Sequence, residues 1–120
     1  MQRALIVDDD AQVLSLTARW LQRAGYDAVV STDFLDARVQ LQVCQPSAVI
    51  TDVRLGLFNG IQLGLLAREL FPDVRVAIIS GWNDPVMRRE AAQLGAVFLH
   101  KPFRAIELLS AIGLPQPPAS

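Results

Sequence analysis

Four short apolar runs, each followed by a polar or charged residue, constrain the fold of this chain more than any other feature. The runs cover residues 4–7, 48–51, 74–79 and 96–99, and they lead to Asp8-Asp9, Asp52, Ser80 and, through His100, Lys101. Near-continuous apolar runs of this length are typical of strands that are buried on both faces of a parallel sheet. Parallel strands would bring all four ends to one edge, which would then carry three carboxylates, a hydroxyl and an amine.

Segments with helical spacing alternate with these runs. Helices are predicted over residues 11–24, 34–44, 60–70, a segment from Asp84-Pro85 to Gly95, and 103–112, and a further strand is predicted over residues 26–31. In the second helix, we expect Leu35, Val39 and Val43 to face the core, together with Leu41 or Gln42. Five strand–helix repeats predict an α/β fold, a flavodoxin-like (βα)5 doubly wound parallel sheet with strand order 2-1-3-4-5.

The length of 120 residues predicts one domain. We expect this domain to cover residues 1–112 and the proline-rich residues 113–120 to be a tail or linker stub. The net charge of −1 argues against direct nucleic-acid binding. No apolar stretch approaches the ~18 residues of a membrane helix. A single cysteine, Cys44, and the absence of a secretory signal pattern favour a cytoplasmic location.

The polar strand ends predict a site for a metal ion and a phosphoryl group. Two unit charges about 4 Å apart repel by ~4 kcal/mol at an effective dielectric of 20, so Asp8, Asp9 and Asp52 would need a counterion or a shifted pKa. Oxygen ligands without imidazole or thiolate indicate Mg²⁺ or a similar cation. A carboxylate can also attack a phosphoryl group, and Lys101 and the Ser80 hydroxyl could neutralise the charge that develops.

These residues resemble the receiver domain of bacterial two-component response regulators over nearly the whole chain. The matching positions are Asp8-Asp9 after the first strand, Asp52 after the third, Ser80 after the fourth and Lys101-Pro102 after the fifth. Segments 51–54 (Thr-Asp-Val-Arg) and 79–82 (Ile-Ser-Gly-Trp) most resemble the nitrogen-regulation and nodulation-type regulators. The resemblance implies a phosphorylation-controlled signalling switch rather than an enzyme.

The resemblance also implies a role for each matching residue. Asp52 would be the phosphoacceptor, which takes a phosphoryl group from the phosphohistidine of a sensor histidine kinase or from a phosphotransfer protein. Asp9, Asp52 and the backbone carbonyl of Arg54 would ligate Mg²⁺, with Asp8 assisting. Lys101 would pair first with Asp52 and then with a phosphoryl oxygen.

Further residues are implied in switching and in hydrolysis of the aspartyl phosphate. Ser80 would bond a phosphoryl oxygen and move inward, and Phe98 would rotate into the space that Ser80 leaves. Arg54 and Trp82 would flank the path of the attacking water. The resemblance also favours a cis Lys101-Pro102 bond.

Other interpretations remain open at this point. An aspartyl-phosphate phosphohydrolase would need a second aspartate two residues after Asp52, where this chain has Arg54. A receiver that acts as a phosphate sink or adaptor, without output, would have the same residues as a regulator. A C-terminal effector domain and a phosphorylation-dependent homodimer are also compatible with the sequence. We expect Asp10 to be a helix cap or a surface acid, and His100 to have no catalytic role.

Overall fold

The apolar runs form strands and the periodic segments form helices in the computed structural model, which describes residues 2–113. The helices are α1 (Ala11–Ala24), α2 (Phe34–Cys44), α3 (Gly60–Leu70), α4 (Pro85–Gln93) and α5 (Ala105–Ile112). The strands are β1 (Arg3–Val7), β2 (Asp27–Ser31), β3 (Ala48–Asp52), β4 (Arg54–Leu55), β5 (Phe58–Asn59), β6 (Arg75–Ser80) and β7 (Val97–His100). Apart from residue 113, the predicted tail lies outside the described residues. Within the described part of the chain, no helix is long and apolar enough to cross a bilayer.

Five of the strands form one parallel sheet in the order β2-β1-β3-β6-β7. Without the two short strands β4 and β5, this is the predicted order 2-1-3-4-5, and the predicted fold class is confirmed. The register aligns Val7 with Thr51 and Asp52 with Ile79. The carboxyl ends of β1, β3 and β6 therefore lie side by side at one edge of the sheet.

Local side-chain chemistry sets where most helices begin. Four helices follow a residue whose side chain accepts hydrogen bonds from backbone N–H groups of the first turn: Asp10, Asp33, Asn59 and Asp84. Such caps satisfy donors that have no partner within the helix. The expected role of Asp10 as a cap is therefore confirmed, and α1 ends at Gly25, whose φ of 104° is left-handed.

Two apolar clusters cover the two faces of the sheet. One contains buried residues of β1, β3 and β6 with residues of α2, α3 and α4, for example Leu5, Leu41 and Ile78. The other contains the alternate residues of the same strands with residues of α1 and α5, for example Ile6 and Leu108. Both faces of the central strands are therefore buried, as the near-continuous apolar runs predicted.

The predicted inward face of α2 is largely wrong. Leu35, Val39 and Val43 are 55%, 56% and 69% exposed. The buried residues of the helix are Phe34, Ala37, Leu41 and Cys44. Their spacing of three, four and three residues forms one continuous helical stripe. Leu35 and Val43 lie one position from this stripe and Val39 lies two positions from it, so only Leu41 was assigned correctly.

A short β-hairpin between Asp52 and α3 was not predicted. Strands β4 and β5 pair antiparallel around a two-residue turn, Gly56-Leu57. Gly56 has φ +64°, which glycine adopts without strain at the first central position of such turns. The ring of Phe58 stacks on that of Phe34 with centroids 4.6 Å apart. The hairpin is thereby attached to the start of α2.

Candidate functional site

Three carboxylates converge where β1 and β3 end. Asp8 and Asp9 follow β1, Asp52 is the last residue of β3, and one oxygen of each carboxylate lies within 4.8 Å of the others. Asp8 and Asp52 are buried, whereas Asp9 is exposed. The adjacency of β1 and β3 brings these residues together although more than forty positions separate them in the sequence.

Lys101 bridges the two buried carboxylates. Its Nζ lies 2.7 Å from Oδ2 of Asp8 and 3.2 Å from Oδ2 of Asp52. The backbone N–H of Lys101 donates to the carbonyl of Ser80 at 2.7 Å, which attaches the lysine to the end of β6. The Lys101-Pro102 bond is cis, as expected. The ammonium thus reaches across β6 to the carboxylates of β1 and β3.

The surroundings shift the pKa values of two of these groups. Burial raises the pKa of Asp52, the negative charge of Asp8 raises it further, and the attraction of Lys101 opposes both. Burial acts to lower the pKa of Lys101, but the hydrogen bonds and charges of Asp8 and Asp52 outweigh burial, so this pKa is raised. One ammonium therefore compensates the charge of the carboxylates only in part.

The donor set of the cluster fits a hard divalent cation. Its three side chains offer only carboxylate oxygens, which Mg²⁺ prefers over imidazole or thiolate. Oδ1 of Asp8 accepts a hydrogen bond from the backbone N–H of Asp10 at 2.9 Å, which fixes the orientation of this carboxylate. Arg54 begins β4, two residues after Asp52, and its N–H lies 3.4 Å from Oδ1 of Asp52.

Ser80, Trp82 and Arg54 flank the cluster, at the end of β6, in the loop that follows it and at the start of β4. Ser80 is buried at the end of β6, and its Oγ accepts a hydrogen bond from the N–H of Trp82 at 3.0 Å. The exposed Trp82 ring lies beside the guanidinium of Arg54, with 5.3 Å from the guanidinium carbon to the ring centroid. Two residues predicted to flank a water path are therefore in direct contact with each other.

Phe98 lies away from the carboxylates. It is half-buried on β7, pairs with Ile78 of β6 and packs on the α2–α3–α4 face of the sheet. Ser80 is two residues after Ile78 on the same strand and therefore points to the same face. Phe98 is thus close to Ser80 along that face, while the guanidinium of Arg88 covers its ring at 4.6 Å.

Gly60 is a site residue that was not predicted from the sequence. A Cβ on Gly60 would overlap the backbone carbonyl of Asp52, and the N–H of Gly60 donates to the carbonyl of Val53 at 2.8 Å. The hydroxyl of Thr51 also donates to the carbonyl of Asp52, at 3.0 Å. A glycine at the first position of a helix was the only signal for this close approach.

His100 and Cys44 do not join the site. Nε2 of His100 lies 3.2 Å from the carbonyl oxygen of Gly81 on the surface, and Cys44 is buried at the end of α2. The site as predicted from the sequence therefore separates into three parts. These are the carboxylates with Lys101, the flanking pair of Arg54 and Trp82, and Ser80 with Phe98.

The family model described as the response regulator receiver domain matches residues 4–113. The chain belongs to this family. Receiver domains are phosphoacceptor switches in two-component signalling, and the family is a signalling family rather than a catalytic enzyme family. This finding confirms the function that the sequence resemblance implied.

Two curated relatives illustrate the setting of such receiver domains. The transcriptional regulatory protein PrrA of Mycobacterium bovis is 28% identical over 111 residues, which are 92% of this chain and 48% of PrrA. The response regulator receiver protein CpdR of Brucella abortus is 28% identical over 113 residues, which are 93% of this chain and 94% of CpdR. This receiver domain thus spans about half the length of PrrA and nearly all of CpdR. These relatives support the family but not the nitrogen-regulation or nodulation subtype.

A solved structure supports the same fold. The crystal structure of a response regulator protein from Burkholderia pseudomallei superposes with a TM-score of 0.86 at 25% identity, over 93% of this chain and 66% of that one. That protein carries a phosphorylated aspartic acid, a calcium ion and citrate. The receiver domain described here has the same (βα)5 arrangement.

Proposed function

We propose that Asp52 is the phosphoacceptor of this receiver domain and that Mg²⁺ assists the transfer. The observation that supports the assignment best is the position of Asp52 beside both Lys101, 3.2 Å away, and the carboxylates of Asp8 and Asp9. A phosphoryl group on Asp52 would lie beside an ammonium and a cation site. Both are needed to neutralise the charge on the transferring oxygens.

The environments of the three carboxylates favour Asp52 over its neighbours. Asp8 has no exposed surface, and its two oxygens already contact the Asp10 N–H and the Lys101 ammonium. Asp9 is exposed, and the ion pairs of Lys101 are with the other two carboxylates. Asp52 alone combines some exposure with the ammonium contact. Burial also raises the pKa of Asp52, and the resulting basicity favours nucleophilic attack.

The transfer itself is a displacement at phosphorus. An oxygen of Asp52 bonds to the phosphorus of a phosphohistidine on a sensor histidine kinase or phosphotransfer protein, and the phosphorus–nitrogen bond breaks with its electron pair returning to the imidazole. Small phosphodonors such as acetyl phosphate would react in the same way, which gives the domain intrinsic autophosphorylation. Lys101 then pairs with a phosphoryl oxygen.

The carboxylates of Asp8, Asp9 and Asp52, with the backbone carbonyl of Arg54, would hold the Mg²⁺. When bound, the ion neutralises negative charge on phosphoryl oxygens. The all-oxygen donor set supports this proposal, and the Burkholderia protein contains a calcium ion together with its phosphorylated aspartic acid.

Ser80 and Phe98 would convert phosphorylation into a change of shape. The Ser80 hydroxyl bonds a phosphoryl oxygen and moves inward, and Phe98 turns into the space beside it on the same face of the sheet. The proximity of both residues on β6 and β7 supports this coupling. The changed surface would be read by an effector domain or by a second copy of the chain.

Two forms of output fit the relatives. In PrrA the matching region is about half of the protein, which fits a receiver domain of residues 1–112 followed by a linker at 113–120 and an effector domain. In CpdR it is nearly the whole protein, which fits a receiver that acts as an adaptor or a phosphate sink. A phosphorylation-dependent homodimer is compatible with the first form.

Phosphorylation of a matched pair of variants tests the assignment. Incubation with acetyl phosphate and Mg²⁺ should add one phosphoryl group to the wild type and to Asp73→Asn, which changes an exposed carboxylate away from the site. Asp52→Asn should remain unlabelled by intact-mass measurement while it keeps the wild-type circular dichroism spectrum. Continued labelling of a folded Asp52→Asn variant would show that another group accepts the phosphoryl.

A further inference from the structure

One side chain on α4 contacts both the loop that follows Ser80 and the aromatic ring of Phe98. The guanidinium carbon of Arg88 lies 4.6 Å from the centroid of the Phe98 ring. Nε of the same guanidinium donates a hydrogen bond to Oδ1 of Asn83. A guanidinium over an aromatic face is attracted by the ring quadrupole, so Arg88 stabilises the place that Phe98 now holds.

The contacts of Arg88 are connected to Ser80 through Asn83 and Trp82. Oγ of Ser80 accepts a hydrogen bond from the N–H of Trp82, and Asn83 is the next residue in the chain. A movement of Ser80 would therefore be transmitted through this loop to the Asn83 amide that anchors the guanidinium. The contact between Arg88 and Phe98 is thus linked to Ser80, the residue that would bond the phosphoryl group.

We propose that Arg88 is a positioning residue that keeps Phe98 in its present place and so opposes the switch until the domain is phosphorylated. The inference rests on the proposed function of Asp52, Ser80 and Phe98. A rotation of Phe98 out of its present place breaks the contact of its ring with the guanidinium and loses the cation–π attraction. Because this attraction stabilises one state only, it weakens the affinity for any ligand that favours the other state.

Beryllofluoride, an analogue of the phosphoryl group, provides the test on the full chain with Mg²⁺ present. Arg88→Gln should bind beryllofluoride about two- to fivefold more tightly than the wild type by calorimetry, since an exposed cation–π contact is lost from the competing state. Arg89→Gln is the matched control, because Arg89 is the adjacent, exposed residue of the same helix and no ring contact or ion pair of its side chain occurs within residues 2–113.

Two further variants separate the effect of the Arg88 charge from that of its hydrogen bond to Asn83. Arg88→Lys keeps a cation above the ring and should restore most of the wild-type affinity. Asn83→Ala keeps the guanidinium but removes its hydrogen-bond partner, and its affinity should lie between those of the wild type and Arg88→Gln. In the protein without beryllofluoride, the ring resonances of Phe98 should shift in Arg88→Gln and stay in place in Arg89→Gln.

The outcomes distinguish the inference from the proposal on which it rests. Equal affinities of Arg88→Gln and Arg89→Gln, or weaker binding by Arg88→Gln than by the wild type, would overturn the role of Arg88 while the phosphoacceptor assignment stands. A wild type that fails to bind beryllofluoride would overturn both. Tighter binding confined to variants that lose the Arg88 cation or its anchor supports the inference.

Discussion

The ammonium of Lys101 lies 2.7 Å from Oδ2 of Asp8, a carboxylate with no exposed surface. The same ammonium also faces Asp52 at 3.2 Å. A buried carboxylate that loses its counter-charge is strongly destabilising, because the lost ion pair no longer offsets its desolvation. Lys101 is therefore a structural residue in the metal-free domain as well as a group placed for phosphoryl transfer.

Removal of the ammonium should make the stability of the domain depend on a divalent cation. In the presence of EDTA, Lys101→Met should lower the free energy of unfolding by about 3 kcal/mol, the lower end of the range for breaking a buried ion pair. Mg²⁺ should raise the free energy of unfolding more in this variant than in the wild type. The cation binds only the folded cluster, and in the variant no ammonium offsets the charge of the carboxylates. Urea unfolding with EDTA or MgCl₂ measures both effects. Arg19→Met, an exposed change on α1, is the control, and an equal response to Mg²⁺ in both variants would contradict the prediction.

The raised pKa of Asp52 predicts that neutralising this residue stabilises the metal-free domain. A folded-state pKa above the unfolded value of 3.8 means that the folded state binds the proton more tightly, so ionisation of Asp52 costs stability. This cost is complete above the folded-state pKa and disappears as the pH falls below the unfolded one. In EDTA, Asp52→Asn should therefore be more stable than the wild type at pH 7, and the difference should shrink toward pH 4. A variant that is less stable at pH 7 would show that the Lys101 contact outweighs burial.

The contact between Arg54 and Trp82 should control the lifetime of the phosphoryl group. If these residues cover the approach of water to Asp52, loss of the cation–π contact should shorten the half-life of the aspartyl phosphate about two- to fivefold. Single alanine variants and the double variant should behave alike, because each removes the same contact. Release of phosphate after removal of the phosphodonor measures the half-life. Half-lives equal to that of the wild type would exclude a gating role, and additive effects would mean that the two residues act separately.

Most strand ends and helix starts could be predicted because local chemistry determines them, whereas α5 begins at Ala105 and not at residue 103, after a residue without a side-chain cap. Residues such as Asp10 and Asp84 satisfy backbone donors in either free or packed helices, and buried parallel strands need apolar residues on both faces. The convergence of Asp8, Asp52 and Lys101 followed from topology alone, since parallel strands place their ends at one edge of the sheet. The distances between these three residues and the burial of each could not be predicted from the topology.

Tertiary packing decided what the sequence could not show. The inward face of α2 depends on which stripe meets the sheet, and small side chains such as Ala37 fit there while Val39 stays outside. The hairpin after Asp52 contacts α2 through stacking between Phe34 and Phe58, which are distant in the sequence. The contact of the Arg88 guanidinium with the Phe98 ring likewise joins α4 and β7, which no local sequence pattern relates.

The close approach of Gly60 to Asp52 predicts that one added methyl group disturbs the site. A Cβ at Gly60 would overlap the carbonyl oxygen of Asp52, a backbone atom that cannot move without shifting the end of β3. Gly60→Ala should lower the free energy of unfolding by about 1–3 kcal/mol and weaken Mg²⁺ binding, because the carboxylate of Asp52 moves with its backbone. Gly81→Ala is the matched control, since a Cβ there meets no atom within 4 Å. Urea unfolding and magnesium calorimetry measure the two effects, and a Gly60→Ala protein that matches Gly81→Ala in both would show that the end of β3 accommodates the methyl group.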